Sequence, residues 1–196
     1  MRIITGTARG CQLATLEGEA TRPTMERVKE AVFSMIQFDI EGRNVLDLFA
    51  GSGQMGLEAV SRGAAKATFI DISREVVDIV IANAKKARLF EKCRVSLSDF
   101  TPFLKGAKGK EKYNIIFIDP PYNLDIMADV LKKIKNAEIC ADGCILVCET
   151  GASFATEGET FGDYYEVIKT AKYSRTYITL LTVKNEESGD ETEQEQ

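Results

Sequence analysis

The sequence contains no histidine. Without an imidazole there is no Ser-His or Cys-His nucleophile pair and no His-based metal site, which excludes much hydrolytic and metal chemistry. Cysteine is sparse: the five residues are Cys11, Cys93, Cys140, Cys144 and Cys148. An odd count without paired short spacings builds neither a disulfide framework nor a metal cage, and it suits a reducing compartment. Cys140, Cys144 and Cys148 read as small apolar fillers around a strand at 144–148. Long apolar runs are missing too. Nothing approaches the ~18–20 residues of a membrane span, and the opening Met-Arg-Ile-Ile-Thr-Gly has no signal-peptide core. A cytoplasmic protein with no membrane partner and no metal is expected. Cations are absent from residues 186–196, which carry Glu186, Glu187, Asp190, Glu191, Glu193 and Glu195. So acidic and apolar-poor an end is expected to form a disordered tail over 185–196.

At 196 residues the chain fits one domain that can bury a substantial core. Its net charge of −5 argues at first against a nucleic-acid partner, because phosphate binding is driven by Lys and Arg. The tail changes that inference. Six of the 30 carboxylates lie there, which leaves 24 against 25 cations in the body. A binding face must then come from local clusters: Arg2 with Arg9, Arg22 with Arg27 and Lys29, or the run Lys105–Lys112.

Residues 2–5 and 11–16 have strand character around Gly6–Gly10 and predict a hairpin. Pro23 precedes Thr24, a candidate N-cap, and Val28, Ala31, Val32, Met35 and Ile36 recur at helical spacing to about residue 38. Residues 1–43 thus form an N-terminal extension. From Asn44 short apolar runs alternate with helical segments: strand 44–48, helix 54–62, strand 66–71, helix 73–88, strands 93–98 and 114–118, helix 124–135 and strand 144–149. Such alternation implies a parallel sheet covered on both faces. Residues 164–172 and 175–183 predict an antiparallel pair that ends the domain at 184. The expected fold is α/β, with seven strands and one reversed strand at an edge.

Val45-Leu46-Asp47-Leu48 runs into Phe49-Ala50-Gly51-Ser52-Gly53, where glycines let the backbone turn sharply beside a ligand. Gly51, Gly53 and Gly56 satisfy the dinucleotide spacing, and Asp71, followed by Ile72, stands 20 residues after Gly51. Asp47 discriminates. A carboxylate there suits a cationic ligand and repels a pyrophosphate, which points to S-adenosyl-L-methionine, with its sulfonium and ammonium, as cofactor. Asp47 either holds that ammonium or caps the turn. Asp71 either accepts hydrogen bonds from the ribose hydroxyls or caps the helix beginning near Ser73. Asp99 and Phe100 either reach the adenine or start a helix.

The apolar run Ile115–Ile118 ends in Asp119-Pro120-Pro121-Tyr122. Two prolines fix the backbone and remove two N–H donors, which leaves carbonyls toward a ligand. An exocyclic base amine is a poor nucleophile until acceptors favour its pyramidal form. The Asp119 carboxylate and the Pro120 carbonyl supply such acceptors, and Tyr122 supplies a stacking face. Carbon-5 cytosine methylation commonly uses a thiolate after proline. The residues after the four prolines here are Thr24, Phe103, Pro121 and Tyr122.

These motifs, with Arg22-Pro23-Thr24, Leu57–Ala64 and Asn83, make the chain resemble the bacterial 16S ribosomal RNA guanine-N2 methyltransferases that act on guanine 966. The resemblance runs from residue 1 to about 183. It implies a class I, Rossmann-like methyltransferase that transfers a methyl group from S-adenosylmethionine to guanine N2, with 16S ribosomal RNA, free or in a small-subunit particle, as partner. It further implies that Arg22 and Thr24 lie beside the methionine end of the cofactor, and that Arg2, Arg9, Arg22 and Tyr122 contact RNA. Asp71 departs from the glutamate usual in that family. An adenine-N6 methyltransferase would use the same tetrapeptide, but the chain has little spare length for a target-recognition region. A nicotinamide-dependent oxidoreductase shares the glycine spacing, yet leaves Asp47 and Asp119–Tyr122 unexplained.

Overall fold

Val45-Leu46 and Ile115–Ile118 are buried on both sides of a sheet, so they read as continuous apolar runs. The computed structural model describes residues 1–16, 23–121, 126–151, 162 and 164–184, without the side chains of 23–25. Its elements are α1 (Pro23–Met35), β1 (Asn44–Asp47), α2 (Gln54–Ser61), β2 (Lys66–Asp71), α3 (Arg74–Lys86), β3 (Cys93–Leu97), α4 (Phe100–Ala107), β4 (Tyr113–Ile118), α5 (Met127–Ala137), β5 (Cys140–Thr150), β6 (Tyr165–Tyr173) and β7 (Thr176–Val183). The seven strands form one sheet in the order β3-β2-β1-β4-β5-β7-β6. β1 to β5 run parallel, and β7 is antiparallel to both neighbours.

Apolar residues of α1, α2 and α3, among them Val32, Phe33, Leu57 and Val80, pack with Phe69 and Phe117 on one face. Leu104 of α4 and Val130, Leu131 and Ile134 of α5 pack with Leu46, Ile116 and Leu146 on the other. Every crossover between parallel strands therefore carries a helix to cover the sheet.

The structure corrects several boundaries. The reversed strand is not an edge strand, because β7 lies between β5 and β6. Ile178–Leu181 of β7 are buried whereas β6 is largely exposed, so the more apolar member takes the inner place. Helix α4 realises the second reading of Asp99 and Phe100, a helix start between the third and fourth strands. Pro102 falls in its first turn, where a missing N–H costs nothing, and Asp99 caps it. α1 starts at Pro23 itself and stops at Met35, short of residue 38.

The predicted hairpin shrinks to one antiparallel bridge, Arg2 with Gln12, and a few flanking bonds such as Gly10 N–H to the Ile3 carbonyl at 2.8 Å. Four further amides of this segment are claimed by side chains of the body. Ile4 and Thr5 donate to the Glu58 carboxylate at 2.7 and 2.9 Å, Ala8 to Ser61 Oγ at 2.9 Å, and Ala14 to Asn83 Oδ1 at 2.8 Å. Glu58 is fully buried between Arg62 Nε at 2.8 Å and Lys29 Nζ at 3.5 Å, and Lys29 also donates to the Arg2 carbonyl. A buried carboxylate is tolerated when paired in this way, and here it anchors residues 1–8 to α1 and α2.

Candidate active site

Parallel strands deliver their carboxyl ends to one edge of the sheet, and each of four adjacent strands ends there at a carboxylate. In spatial order these are Asp99 beyond β3, Asp71 of β2, Asp47 of β1 and Asp119 beyond β4. An open α/β sheet binds its ligand at this edge, where the strand order reverses.

Asp47 is 4% exposed, and its Oδ2 accepts the Gly56 amide at 3.0 Å. Burial raises its pKa to about 7; the Gly56 bond opposes the shift and the nearby Asp71 charge adds to it. Oδ1 accepts no hydrogen bond from the described residues. Both sequence readings of Asp47 thus keep an atom: one oxygen caps the turn and the other is left over.

Asp71 is already engaged with the backbone. Its Oδ2 accepts Gly51 N–H at 3.2 Å and its Oδ1 accepts Ser73 N–H at 2.9 Å. The carboxylate thereby joins the glycine turn to the start of α3, whose N-cap is the Ser73 hydroxyl. Ile72 beside it is 73% exposed, an apolar face at the same edge. Asp99 caps α4 by accepting Thr101 N–H at 2.7 Å, so its capping reading is realised. Phe100 packs on Phe49 with ring centroids 5.5 Å apart, and Lys133 lies 5.2 Å over the Phe100 ring. Phe100 therefore stiffens the base of the site from the α5 side.

The turn from Phe49 to Gly53 is held from below. Ala50 N–H donates to the Ile70 carbonyl at 3.0 Å, and Gly53 N–H to the Ala50 carbonyl at 2.7 Å. Gly53 has φ +75°, and a Cβ there would meet Val80 at 3.1 Å, so backbone and packing both require glycine. Gly56 permits α2 to lie directly on Phe69 of β2. A Cβ at Gly51 would meet nothing within 4 Å, which leaves space over the turn. Ser52 is buried, with its carbonyl bound by Asn83 Nδ2 at 2.9 Å.

β4 pairs with β1 so that Phe117 stands opposite Asp47, and Leu48 N–H donates to the Phe117 carbonyl at 3.1 Å. Asp119 leaves the sheet beside the glycine turn, exposed, with Pro120 buried and Pro121 exposed. Tyr122 and Arg22 lie outside the described residues, as does the Thr24 side chain. Arg2 and Arg9 are exposed on the N-terminal segment, Arg2 within 3.5 Å of Glu26. The run Lys105–Lys112 belongs elsewhere. α4 carries the chain back to the start of β4, so these lysines stand at the opposite edge of the sheet and do not line the site.

Sequence reasoning assigned no role to Glu58 or Asn83. The signal for Asn83 was available, since it interrupts the apolar stripe of Val76, Val77, Val80 and Ala84 on α3. Among the described residues no group of three His, Cys, Asp or Glu could hold a metal ion, and no helix is long and apolar enough to cross a membrane.

The chain matches the family described as conserved hypothetical protein 95 over residues 1–182. It is 35% identical over 164 residues to YlbH of Bacillus subtilis, a candidate rRNA methyltransferase, covering 83% of this chain and 89% of that one. Identity to the ribosomal RNA small subunit methyltransferase D of Escherichia coli K12 is 35% over 150 residues, covering 76% of this chain and 74% of that one. Among solved structures, a candidate methyltransferase of Escherichia coli, yhhF, superposes with a TM-score of 0.81 at 28% identity, covering 95% of this chain and 99% of that one. A seven-stranded class I methyltransferase sheet and this likeness along nearly the whole chain together show that the protein belongs to the conserved hypothetical protein 95 family, which takes in the small-subunit ribosomal RNA methyltransferases D.

Proposed function

We propose that the protein uses S-adenosylmethionine to methylate the exocyclic N2 amine of a guanine in 16S ribosomal RNA, at position 966. The observation that carries this reading is the pairing of β1 with β4, which brings Asp119-Pro120-Pro121 out beside Asp47 and the glycine turn. A donor site and an amine-accepting site thus share one edge of the sheet.

The donor half fits a cationic ligand on three counts. Asp47 keeps Oδ1 for an ammonium, the space over Gly51 admits a ligand against the backbone, and Ile72 offers an apolar face for an adenine. When bound there, S-adenosylmethionine supplies an electrophilic methyl group. In the acceptor half, the Asp119 carboxylate and the Pro120 carbonyl take the two N–H bonds of the base amine. They aim its lone pair and stabilise the positive charge that develops on nitrogen. Tyr122 stacks on the base, worth ~1–3 kcal/mol, which helps offset extrusion of the nucleotide from its own stack. Arg2 and Arg9 grip the RNA backbone at the rim of the site, and Arg22 and Thr24 approach the methionine end of the cofactor.

Mass spectrometry of ribosomal RNA from cells with and without the gene tests the reading. N2-methylguanine at a single 16S position is expected to vanish with the protein and return with its expression. Loss of N6-methyladenine instead would assign the site to adenine. No change in any ribosomal RNA methylation would overturn the substrate class.

A further inference from the structure

Asn83 is 1% exposed and spends its carboxamide on two separate parts of the chain. Oδ1 accepts the Ala14 amide at 2.8 Å, and Nδ2 donates to the Ala14 carbonyl at 2.9 Å. That pair reproduces the two-bond pattern of a strand neighbour, so the side chain stands in for a missing ladder. The second Nδ2 hydrogen goes to the Ser52 carbonyl at 2.9 Å, in the middle of the glycine turn. Both donors and the acceptor are thereby used, and no other side chain among the described residues joins Ala14 to that turn.

The contact is supported around it. Met1 Sδ lies 4.0 Å from Ser52 Oγ, and Leu13 N–H donates to the Met1 carbonyl at 2.8 Å. Ile3 and Leu13 are buried in the same apolar cluster as Val80, which touches Gly53. Met1 and, through Asn83, Ala14 are therefore tied to the glycine turn, while Arg2 and Arg9 of the same segment face solvent.

We infer that Asn83 is a positioning residue that couples the cofactor turn to the N-terminal segment. Occupancy of the turn fixes the Ser52 carbonyl, the Ser52 carbonyl fixes the Asn83 amide, and that amide fixes Ala14, two residues beyond the Gln12 bridge to Arg2. The relay rests on the assignment of the turn to S-adenosylmethionine and is independent of which nucleotide is modified. Neither Arg2 nor Arg9 need touch the cofactor for its presence to order the surface they occupy.

Backbone amide hydrogen exchange with and without S-adenosylhomocysteine reads the coupling directly. In the full chain the ligand is expected to slow exchange at Ala14 by about tenfold more than at Leu181 of β7, which reports global opening. In Asn83→Ala, at ligand concentrations that calorimetry shows to be saturating, this excess should disappear. Val77→Ala removes a buried neighbour on α3 without touching either partner, so it controls for lost stability and should keep the excess. Asn83→Asp keeps the acceptor for Ala14 but removes both donors, and it serves if the alanine variant does not fold. Equal excess protection in wild type and Asn83 variants would overturn the relay, as would binding to wild type with no excess at Ala14. Absence of any binding heat in wild type would instead bring down the cofactor assignment, and the relay with it.

Discussion

The Asp47 carboxylate and the Gly56 amide meet at 3.0 Å in a buried site, tying the end of β1 to the first turn of α2. One hydrogen bond does not compensate the desolvation of a charged oxygen pair, so the group holds its proton up to about pH 7.

That protonation has a stability consequence with a definite sign. The folded-state pKa lies above that of a free aspartate, so there is no penalty where both states are protonated. The penalty grows as pH rises from about 4 to about 7, and it is complete above that, at most roughly 4 kcal/mol. Asp47→Asn retains an acceptor for Gly56 and avoids the charge. Its melting temperature is expected to exceed that of wild type at pH 8 and to approach it near pH 4. A gap of constant size across this range would show that the carboxylate is not the titrating group.

Asp71→Ala removes the acceptor shared by Gly51 and Ser73. The turn loses its brace and, on the proposed reading, the ribose loses a partner, but the reacting atoms are untouched. KM for S-adenosylmethionine is expected to rise about 10- to 100-fold, with kcat at saturation within a few-fold of wild type. Steady-state methylation assays decide it, and a loss confined to kcat would refute this assignment.

Asp119 and Tyr122 should separate activation of the amine from placement of the base. Asp119→Ala is expected to lower kcat by about 10²-fold or more while calorimetry still detects S-adenosylhomocysteine binding. Tyr122→Phe keeps an aromatic face and should retain much of the activity that Tyr122→Ala loses. Equal inactivity of the two tyrosine variants would transfer the role from the ring to the hydroxyl. Near-normal turnover in Asp119→Ala would reduce the tetrapeptide to a stiff turn.

Gly6 and Gly10 share a positive φ, +84° and +83°, but not an environment. A Cβ on Gly6 would lie 1.8 Å from the Ser61 carbonyl oxygen, a backbone atom that cannot step aside, whereas one on Gly10 meets nothing within 4 Å. Gly10→Ala should cost only the left-handed strain, ~1–2 kcal/mol. Gly6→Ala should cost about 3 kcal/mol or more by prying the N-terminal segment off α2. Chemical denaturation of the two variants compares them, and equal losses would contradict the packing at Ser61.

The parallel core was legible because Val45-Leu46 and Ile115–Ile118 are pure apolar runs and the helices between them have clear stripes. The placement of Asp47, Asp71 and Asp119 at the carboxyl edge of the sheet was legible because each ends or directly follows such a run. α4 was legible only as one of two readings of Asp99 and Phe100, since Pro102 and Gly106 within eight residues resemble a loop, and capping by Asp99 and packing of Leu104 make it helical. The hairpin is reduced to one bridge for a different reason: four of its donors have partners 53 to 69 residues away in Glu58, Ser61 and Asn83, which local pattern does not reveal. The inner position of β7 depended on which strand of a pair buries more area, a comparison that sequence order does not encode.

The row of Asp99, Asp71, Asp47 and Asp119 has a consequence for the timing of release. On the proposed reaction, this edge of the sheet faces a ligand with a sulfonium before methyl transfer and a neutral thioether after it. The positive charge passes with the methyl group to the base nitrogen and is lost with the proton that this nitrogen releases to solvent, after which the edge is more negative by one charge while a polyanion is held next to it. Repulsion between this edge and the RNA backbone is then strongest once the methylated amine has lost its proton, so the same residues that admit the donor also favour departure of the finished RNA.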